Sequence, residues 1–349
     1  MRSAMSEAPI RIVNLNTWVG CLPRGLFGGV VSIEPPGNKM RRLSALIDEL
    51  DQRQPDIATF QECLPLPRFA QEMAQKLGYD CLWRVANAGM RVMGAGIPSG
   101  IGVGEGLVIL AKKAHRMVPL GTKKLSGFGF SNNVIAFQLS PLRFALAARV
   151  MIEGRPLIVV TTHISYGFPS RDAFQAAWIE MHKRGVTKFA SPPKWVHDLT
   201  RDNGDNRDKE IRRLAKWLLE LRAANQGAPI LIGADMNLDP ETPQMLEFLA
   251  STGYRNAFPE KHPGVLTWDP TTNLNVPYGT DFKWPDGTEK STILQMMAYL
   301  DSIPQTPDHV LLSPGLDVVD TGRAFDVAYD GIMASDHYGI WVDAVRTPT

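Results

Sequence analysis

The amino-acid sequence predicts an α/β protein in which sheets carry helices on their outer faces. Short apolar runs bounded by Gly, Pro and Asn alternate with a few amphipathic segments of helical spacing. Several of these runs follow one another closely, as the strands of a meander do. Polar residues stand where many of the runs end. Together these three observations predict sheets whose strand ends display polar groups.

The first part of the chain predicts a strand-helix-strand unit. Residues 10–15 form an apolar run that fits a strand, and residues 40–50 carry apolar side chains at helical spacing. The tripeptide 54–56, with Pro55 at its centre, ends this helix before a second strand at 57–60.

Strand and helix patterns continue to alternate along the rest of the chain. Four further strands are predicted at 106–110, 134–139, 144–152 and 157–162. A helix at 209–224 with one apolar face leads into a strand at 229–233. Two stretches without a strand pattern, at about 165–206 and 273–306, are predicted to be insertions. Because strand patterns resume beyond both, we expect one domain over residues 1–349.

Charge and composition exclude some classes of protein. The 37 basic residues nearly balance the 36 acidic ones, so a net charge of +1 gives no overall attraction to nucleic acid or anionic membranes. This argues against a highly processive nucleic-acid enzyme. Three cysteines are an odd number that does not form a disulfide framework. Since the sequence has neither a signal-peptide core nor an apolar run long enough to span a membrane, we expect a cytoplasmic protein.

Six segments place polar residues at the end of an apolar strand, where α/β folds display catalytic groups on a rigid support. They are Val13-Asn14-Leu15-Asn16-Thr17-Trp18, Thr59-Phe60-Gln61-Glu62, Val160-Thr161-Thr162-His163-Ile164, Ile232-Gly233-Ala234-Asp235-Met236-Asn237, Pro307-Asp308-His309-Val310-Leu311-Leu312 and Ala334-Ser335-Asp336-His337-Tyr338-Gly339. Each is weak by itself, because an Asp or His at a strand end is often a cap or turn residue. All six in one chain make coincidence a poor explanation.

In their order along the chain, these segments resemble the endonuclease/exonuclease/phosphatase superfamily, which includes deoxyribonuclease-I-like nucleases, abasic-site endonucleases, inositol-polyphosphate phosphatases and neutral sphingomyelinases. The resemblance covers nearly the whole chain. It implies a four-layer α/β sandwich, with two packed and mostly antiparallel sheets flanked by helices and the site at one end of the sheets. The activity that it implies is that of a metal-dependent phosphoric ester hydrolase.

Phosphoester cleavage needs charge neutralisation at phosphorus and an activated water, and a hard divalent ion held by carboxylates serves both. By resemblance Glu62 is the principal ligand of Mg²⁺, with Asn16 and Asp336 close to the same ion. Mn²⁺ or another divalent ion is an alternative. An exposed strand-end carboxylate is the plain structural alternative for Glu62.

The remaining site residues are predicted to act on water and phosphate. Asp235 is the expected base, and Asn237, on the same side of an extended segment, is expected to position the water or a phosphate oxygen. An Asx turn after the strand is the alternative for this pair. Asp308 is expected to orient the ring of His337 and favour its imidazolium form beside the phosphate.

His163 is expected to donate to the phosphate from the opposite side, and the sequence leaves its supporting partner unassigned. The segment 130–134, where the nuclease branch would place a carboxylate or Tyr, offers only amides and a hydroxyl. His309 should point away from Asp308 along the strand, which favours a structural role.

The sequence leaves the substrate open. Residues 14–18, 104–112 and 266–273 resemble the neutral-sphingomyelinase branch more than the nuclease branches. The leading hypothesis is therefore a phosphodiester with a small or lipid-like alcohol, such as a phospholipid or sphingomyelin-like head group. A DNA or RNA nuclease and a phosphomonoesterase are alternatives within the same chemistry, and a non-catalytic binding protein is a third.

A lipid substrate would need an apolar rim, for which the second insertion offers eight residues. They are Phe282, Trp284, Ile293, Leu294, Met296, Met297, Tyr299 and Leu300. The alternative is a small satellite core beneath the loop.

Overall fold

The computed structural model of the chain describes residues 8–23, 30–87, 90–92, 95–97, 104–131, 136–138, 140–166, 171–192 and 194–347. Within these ranges no helix has the length and apolar character needed to cross a membrane.

The described chain forms eighteen strands, eight helices and a short 3₁₀ turn at Lys113–His115. The strands are β1 Ile10–Asn16, β2 Cys21–Pro23, β3 Val30–Ser32, β4 Ile57–Cys63, β5 Tyr79–Asn87, β6 Met90–Val92, β7 Ala95–Ile97, β8 Glu105–Lys112, β9 Val118–Ser126, β10 Gly129–Ser131, β11 Ala136–Gln138, β12 Arg143–Ile152, β13 Arg155–His163, β14 Ile230–Asp235, β15 Arg255–Asn256, β16 Asp308–Leu312, β17 Leu316–Ala324 and β18 Gly339–Arg346. The helices are α1 Asn38–Arg53, α2 Arg68–Leu77, α3 Arg171–Lys183, α4 Lys194–Ala224, α5 Pro243–Thr252, α6 Ala257–Lys261, α7 Val276–Thr280 and α8 Thr292–Asp301.

Two six-stranded sheets form the centre of the molecule. The first has the order β17-β18-β1-β4-β8-β5, and the second has the order β15-β16-β14-β13-β12-β9. An apolar core lies between them, α1 and α2 pack on the outer face of the first sheet, and α4 and α5 pack on the outer face of the second. The four-layer α/β sandwich is confirmed. Most neighbouring strands are antiparallel, with β1–β4 and β13–β14 parallel.

The strand-helix-strand unit at the start of the chain is also confirmed. β1 and β4 are parallel neighbours, as a helical crossover between them requires. Helix α1 buries Leu46, Ile47 and Leu50 against the sheet. It ends where Gln54 adopts a left-handed conformation, directly before Pro55.

Several elements differ from the sequence-based predictions. The helix predicted at 209–224 is the second half of α4, which begins at Lys194 directly after the Pro192-Pro193 pair. The strand predicted at 134–139 is observed only as β11, because residues 134, 135 and 139 lie outside the described residues. Both predicted insertions contain helices, and the assignment of residues 1–349 to one domain stays a prediction.

The inner faces of the central strands change from apolar to polar toward one end of the sandwich. In β1, Ile10 and Ile12 lie in the core between the sheets, whereas Asn14 and Asn16 reach across to the second sheet. β4, β13, β14 and β16 change in the same way toward the same end. Because side chains alternate with a period of two, this pattern gathers polar groups between the sheets at a single edge.

A buried polar contact joins the sheets just below that edge. Gln61 Nε2 donates to Asn14 Oδ1 and to Thr161 Oγ1, both at 2.9 Å. Gly233 makes this close approach possible, since a Cβ at this position would lie 1.9 Å from Thr59 Oγ1. A glycine is therefore required in β14 where the sheets come closest.

At the opposite end of β4, the Asp56 carboxylate accepts several hydrogen bonds that stabilise the fold. We expect Asp56→Asn to lower the free energy of unfolding by about 1–2 kcal/mol at pH 7, after allowance for solvent screening. Burial raises the pKa of Asp56, but hydrogen bonds from His115, the Arg11 amide and Lys112 outweigh it and lower the pKa to about 2. The folded-state pKa lies below the unfolded value of 3.8, so this stability is present above pH 4 and is lost as the pH falls toward 2.

Urea unfolding at pH 7, 5 and 3 measures this effect. The difference in unfolding free energy between the wild type and Asp56→Asn should become smaller as the pH falls. Asp80→Asn is the matched control, because Asp80 lies on the neighbouring part of the sheet and forms no salt bridge with a described residue. A difference in unfolding free energy that stays constant over this pH range would contradict the expectation.

Candidate active site

The structure brings the eight residues predicted for the site to the polar edge of the sandwich. Each sheet supplies part of the group. Asn16, Glu62, Asp336 and His337 come from the first sheet and its loops, and His163, Asp235, Asn237 and Asp308 come from the second. The three central strand ends lie side by side, with His163 paired to Asp235 and Asp235 paired to Asp308.

Asp235 occupies the centre of this group. Its Oδ2 accepts a hydrogen bond from Asn16 Nδ2 at 2.8 Å, and its Oδ1 accepts from the Asn237 amide at 2.9 Å. Burial and the neighbouring charge of Asp308 raise the pKa of Asp235 to about 7. A carboxyl group with such a pKa exchanges a proton readily near neutral pH, as a general base must.

His163 links the two halves of the site. Its Nε2 lies 3.5 Å from Asp235 Oδ2, and its Nδ1 lies 3.9 Å from Glu62 Oε1, so all three side chains lie within a few ångströms. Burial, followed by the charges of Arg143 and His337, lowers the pKa of His163 well below its usual value. The ring is therefore neutral at pH 7.

The partner that the sequence left unassigned for His163 is Asn237, whose Nδ2 lies 3.1 Å from His163 Nε2 and 2.9 Å from the Ile164 carbonyl. Residues 132–134 of the segment considered for this role lie outside the described residues, and the Ser131 hydroxyl donates to the Val85 carbonyl.

The prediction of an extended chain from Asp235 to Asn237 is wrong at Asn237, which has a left-handed φ of 49°. The Asp235 carboxylate accepts from the Asn237 amide and so closes an Asx turn, the alternative considered from the sequence. The turn directs the Asn237 side chain toward His163. A non-glycine residue in this region of φ is strained, and such strain is concentrated at functional sites.

Glu62 reaches the site because β4 bulges. Alternation along a regular strand would send Glu62 to the outer face, opposite to Gln61. The pairing of β4 with β8 shifts register between Phe60 and Cys63, and Glu62 has a φ of 55°. This bulge turns its carboxylate inward, where Oε2 accepts from the Val19 amide at 3.0 Å.

The donor set fits a hard divalent cation. Glu62 Oε1 has no hydrogen-bond donor among the described residues, and Asp336 lines the same cavity. Burial raises the pKa of Asp336 to about 7, and the charge of Glu62 adds to this effect. One buried oxygen of Asp308 also lacks a partner, and carboxylate oxygens of Asp235 and Asp308 lie within 4.8 Å of each other. A cation would relieve this crowding of carboxylates.

The Asn16 side chain, predicted to lie close to the metal ion, already forms two hydrogen bonds within the protein. Its Oδ1 accepts from the Trp18 amide at 3.0 Å, while its Nδ2 donates to Asp235. One lone pair of Oδ1 remains for a cation.

Asp308 and His337 form the predicted pair, with His337 Nδ1 at 2.8 Å from Asp308 Oδ2. Burial alone would lower the pKa of His337, but the charge of Asp308, its hydrogen bond and two further carboxylates raise it well above its usual value. The ring of Trp268 packs edge-on against His337 with centroids 4.9 Å apart. The structure thus holds an imidazolium in one orientation.

Hydrogen bonds from two directions hold the turn before β18, which contains Ser335. The Ser335 hydroxyl donates to the Asn16 carbonyl at 2.6 Å, which ties the turn to β1. Asn273 and Asn275, at the start of the second insertion, donate to the Ser335 carbonyl from their side chains. These contacts fix the position of Asp336 and His337 relative to the strands.

Six of the eight candidate residues line a cavity of about 220 Å³, to which both insertions contribute walls. The first insertion supplies Tyr166, and α8 of the second supplies Leu294, Met297 and Asp301. The two walls touch, because the Tyr166 hydroxyl hydrogen-bonds the Asp301 carboxyl group.

Of the eight apolar residues considered for a rim, Leu294 and Met297 line the cavity. Met296 and Leu300 belong to a satellite core with α3, and Trp284 packs on Trp18 and Ile33. The side chain of Ile293 lies outside what the structure describes.

Arg143 and Glu105 lie at the site but were not predicted. Both line a small pocket beside Glu62 and His163, and Arg143 also lines the main cavity. Arg143 Nε is buried without a partner, and the guanidinium forms no hydrogen bond or salt bridge with another described residue. Burial and the charge of Glu62 raise the pKa of Glu105 to about 7.

The Arg143 guanidinium has no salt-bridge partner among the described residues, although its charge acts on the nearby Glu105. Such a group is suited to an anionic substrate, and we expect Arg143→Met to lower kcat/KM about 10- to 100-fold. Steady-state kinetics with a phosphodiester measures the effect, and Arg143→Lys should recover part of it. Arg149→Met, on the same strand but outside the cavity, is the control. Equal activity of the Arg143 and Arg149 variants would exclude a role in substrate binding.

His309 takes no part in the cavity. Its ring nitrogens lie 2.8 Å from Asn256 Nδ2 and 2.8 Å from the Leu238 carbonyl, so both positions are satisfied inside the second sheet layer. These contacts agree with the structural role expected from its position next to Asp308.

Several solved structures share the fold of this chain. TDP2 from Caenorhabditis elegans is 16% identical with a TM-score of 0.58, and the match covers 99% of this chain and 78% of that one. The human Nocturnin catalytic domain with bound sulfate is 15% identical with a TM-score of 0.54, covering 97% and 95%. A mannosyl-6-phosphatase from Bacteroides thetaiotaomicron is 15% identical with a TM-score of 0.54, covering 96% and 99%.

Comparison of sequences is more specific. No curated protein matches the chain. The model of the Endonuclease/Exonuclease/phosphatase family matches residues 13–337, which include every residue of the site described above. The chain therefore belongs to the Endonuclease/Exonuclease/phosphatase family.

Proposed function

We propose that the protein is a Mg²⁺-dependent phosphodiesterase that hydrolyses a diester with a small or lipid-like alcohol. The observation that carries this proposal is the cavity of about 220 Å³, which combines the carboxylates and His337 with apolar side chains of α8. A cavity of this size accommodates a compact group, whereas a nuclease needs a basic groove that follows the nucleic-acid backbone. The net charge of +1 offers no general attraction to such a polymer.

In this proposal each side chain has one task at the phosphate. The Asp235 carboxylate takes a proton from the attacking water, and Asn237 fixes the position of that water or of a phosphate oxygen. The imidazolium of His337, held by Asp308, donates to a phosphate oxygen and stabilises the charge that develops there. Arg143 adds a second positive charge. His163, neutral and bound to Asn237, lies on the opposite side of the cavity.

Glu62 and Asp336 would hold the metal ion, with Asn16 beside it. The ion would supply Lewis acidity toward the phosphoryl oxygens. We expect Glu62→Gln to raise the Mg²⁺ concentration for half-maximal activity at least about tenfold, since the amide removes the negative charge from the principal ligand.

Rates over a Mg²⁺ titration, together with the rise in Tm that Mg²⁺ causes, measure this change. Glu220→Gln, at an exposed position on α4, is the control. A Glu62→Gln protein with the same Mg²⁺ dependence as the control would exclude Glu62 as the ligand.

A panel of substrates tests the proposed function. The panel contains sphingomyelin, an aryl phosphodiester, a phosphomonoester, single-stranded DNA and double-stranded DNA, each with Mg²⁺ and with chelator. We expect the first two to be hydrolysed fastest and chelator to abolish hydrolysis. The Asp235→Asn protein, purified in the same way, is the control for contaminating activity.

Two results would redirect the assignment. Preferential cleavage of DNA would favour a nuclease, and one structural relative, TDP2 from Danio rerio, has been solved with a single-stranded DNA product. Preference for the monoester would favour a phosphatase. Absence of hydrolysis across the panel with every divalent ion would refute the catalytic proposal.

A further inference from the structure

A second cavity lies outside the catalytic site, between α1 and the start of α2. Its volume is about 330 Å³, larger than that of the catalytic cavity and within the range of about 300–1,000 Å³ typical of small-molecule sites. None of the residues assigned to phosphoester hydrolysis lines it. The proposed activity therefore does not account for this space.

Most of the cavity lining is apolar. Leu43 and Leu46 contribute from α1, Leu64 from the loop before α2, and Phe69 from α2 itself. Met40 also lines the cavity, with 60% of its surface exposed. An exposed methionine beside a leucine-lined space is a surface that gains from contact with an apolar ligand.

Two cations also belong to the cavity lining. Lys39 and Arg68 form no hydrogen bond or salt bridge with any described residue, although the charge of Glu34 acts on Lys39. The other charged lining groups are compensated, since Arg42 pairs with Glu34 at 2.8 Å and Glu72 with Lys76 at 3.5 Å. Burial lowers the pKa of Lys39, which indicates that water does not fully solvate its ammonium group.

The cavity shares one wall with the catalytic site. Trp18 lines both spaces. The Arg42 guanidinium lies 4.7 Å from the centre of its ring, and the Tyr278 ring stacks on it with centroids 6.3 Å apart. The Trp18 amide donates to Asn16 Oδ1, so a ligand in the second cavity would contact the same residue that supports the site.

We propose that this cavity binds one amphipathic anion, with its apolar chain on Leu43, Leu46 and Phe69 and its anionic group between Lys39 and Arg68. The combination is selective, because the apolar part favours a ligand with a hydrocarbon chain over small inorganic anions and the two cations favour an anionic ligand over a neutral one. Single fatty acids and other single-chain anions have this chemistry.

Calorimetric titration of the full chain with decanesulfonate, below its micelle concentration and with chelator present, tests the proposal. The sulfonate is not a phosphoester, so hydrolysis does not interfere. We expect one saturable site, with methanesulfonate and decyl maltoside each binding at least about tenfold more weakly because each lacks one half of the ligand. Binding should persist in His337→Ala, because that substitution alters only the catalytic cavity.

Paired variants locate the site. Lys39→Met with Arg68→Met should weaken decanesulfonate binding about tenfold or more, whereas Lys209→Met with Lys216→Met, which removes two exposed charges of α4, should leave it unchanged. Leu43→Trp, which fills the apolar part, should also weaken binding while thermal unfolding shows that the fold is retained.

Three results would overturn the proposal. They are absence of saturable binding, equal binding by the two double variants, and loss of binding in His337→Ala. Sedimentation with phosphatidylglycerol vesicles separates a soluble ligand from a membrane surface. Attachment to vesicles without binding of monomeric decanesulfonate would also refute a site for single molecules.

Discussion

Replacing Asp235 with asparagine is expected to lower kcat about 10³-fold, within the range of about 10²–10⁴ that general acid–base catalysis contributes. Asparagine keeps the shape of the side chain and an oxygen that accepts from the Asn237 amide, but it cannot take a proton from water. Removal of the charge relieves the repulsion from Asp308, whereas the amide NH2 in place of Oδ2 loses the hydrogen bond from Asn16, so we expect the free energy of unfolding to change little. Single-turnover kinetics and thermal unfolding measure both effects.

Asp320→Asn is the matched control for this substitution, since Asp320 is exposed on β17 and does not line the cavity. Its activity should equal that of the wild type. An Asp235→Asn protein that retains more than about a tenth of wild-type kcat would remove Asp235 from the role of base.

The second large effect is expected at the Asp308–His337 pair. His337→Gln should lower kcat about 10²- to 10³-fold, because it removes the charged donor that faces the phosphate. Asp308→Asn should lower kcat through loss of ring orientation and of the raised pKa of His337. In the double variant the losses should not add, since both substitutions disable one unit.

A double-mutant cycle measured on kcat tests this coupling. His262→Gln is the control for the loss of a histidine, because His262 contacts the Thr321 carbonyl outside the cavity. Additive losses in the cycle would mean that Asp308 acts independently of His337.

The sequence predicted the central strands of each sheet better than the edges. β1, β4, β8, β12 and β13 are buried runs of apolar residues, which give a clear signal. The edge strands β5 and β17 contain many half-buried and exposed side chains, and neither was predicted. An edge strand has a neighbour on one side alone, so its sequence is less constrained.

His163 and Asp235 were predicted because each is a polar residue that directly ends a strand, whereas Asp308, which begins β16, was predicted through the resemblance. Arg143 also begins a strand, at a point where the pairing of β12 with β9 shifts register, and it was missed because no segment of the resemblance includes it. Glu62 was found through resemblance, whereas its inward direction depends on a second irregularity, in β4. Alternation along the chain does not reveal where such irregularities redirect a side chain.

The amide of Gln61 determines more than local packing. Its donors satisfy Asn14 on the neighbouring strand and Thr161 on the facing layer at once. Sliding one layer over the other by a single residue would leave these groups without partners in a dry interior, which is costly. Each of the two sheets supplies four of the eight candidate site residues. The hydrogen bonds of the Gln61 amide therefore keep the two halves of the candidate site opposite each other.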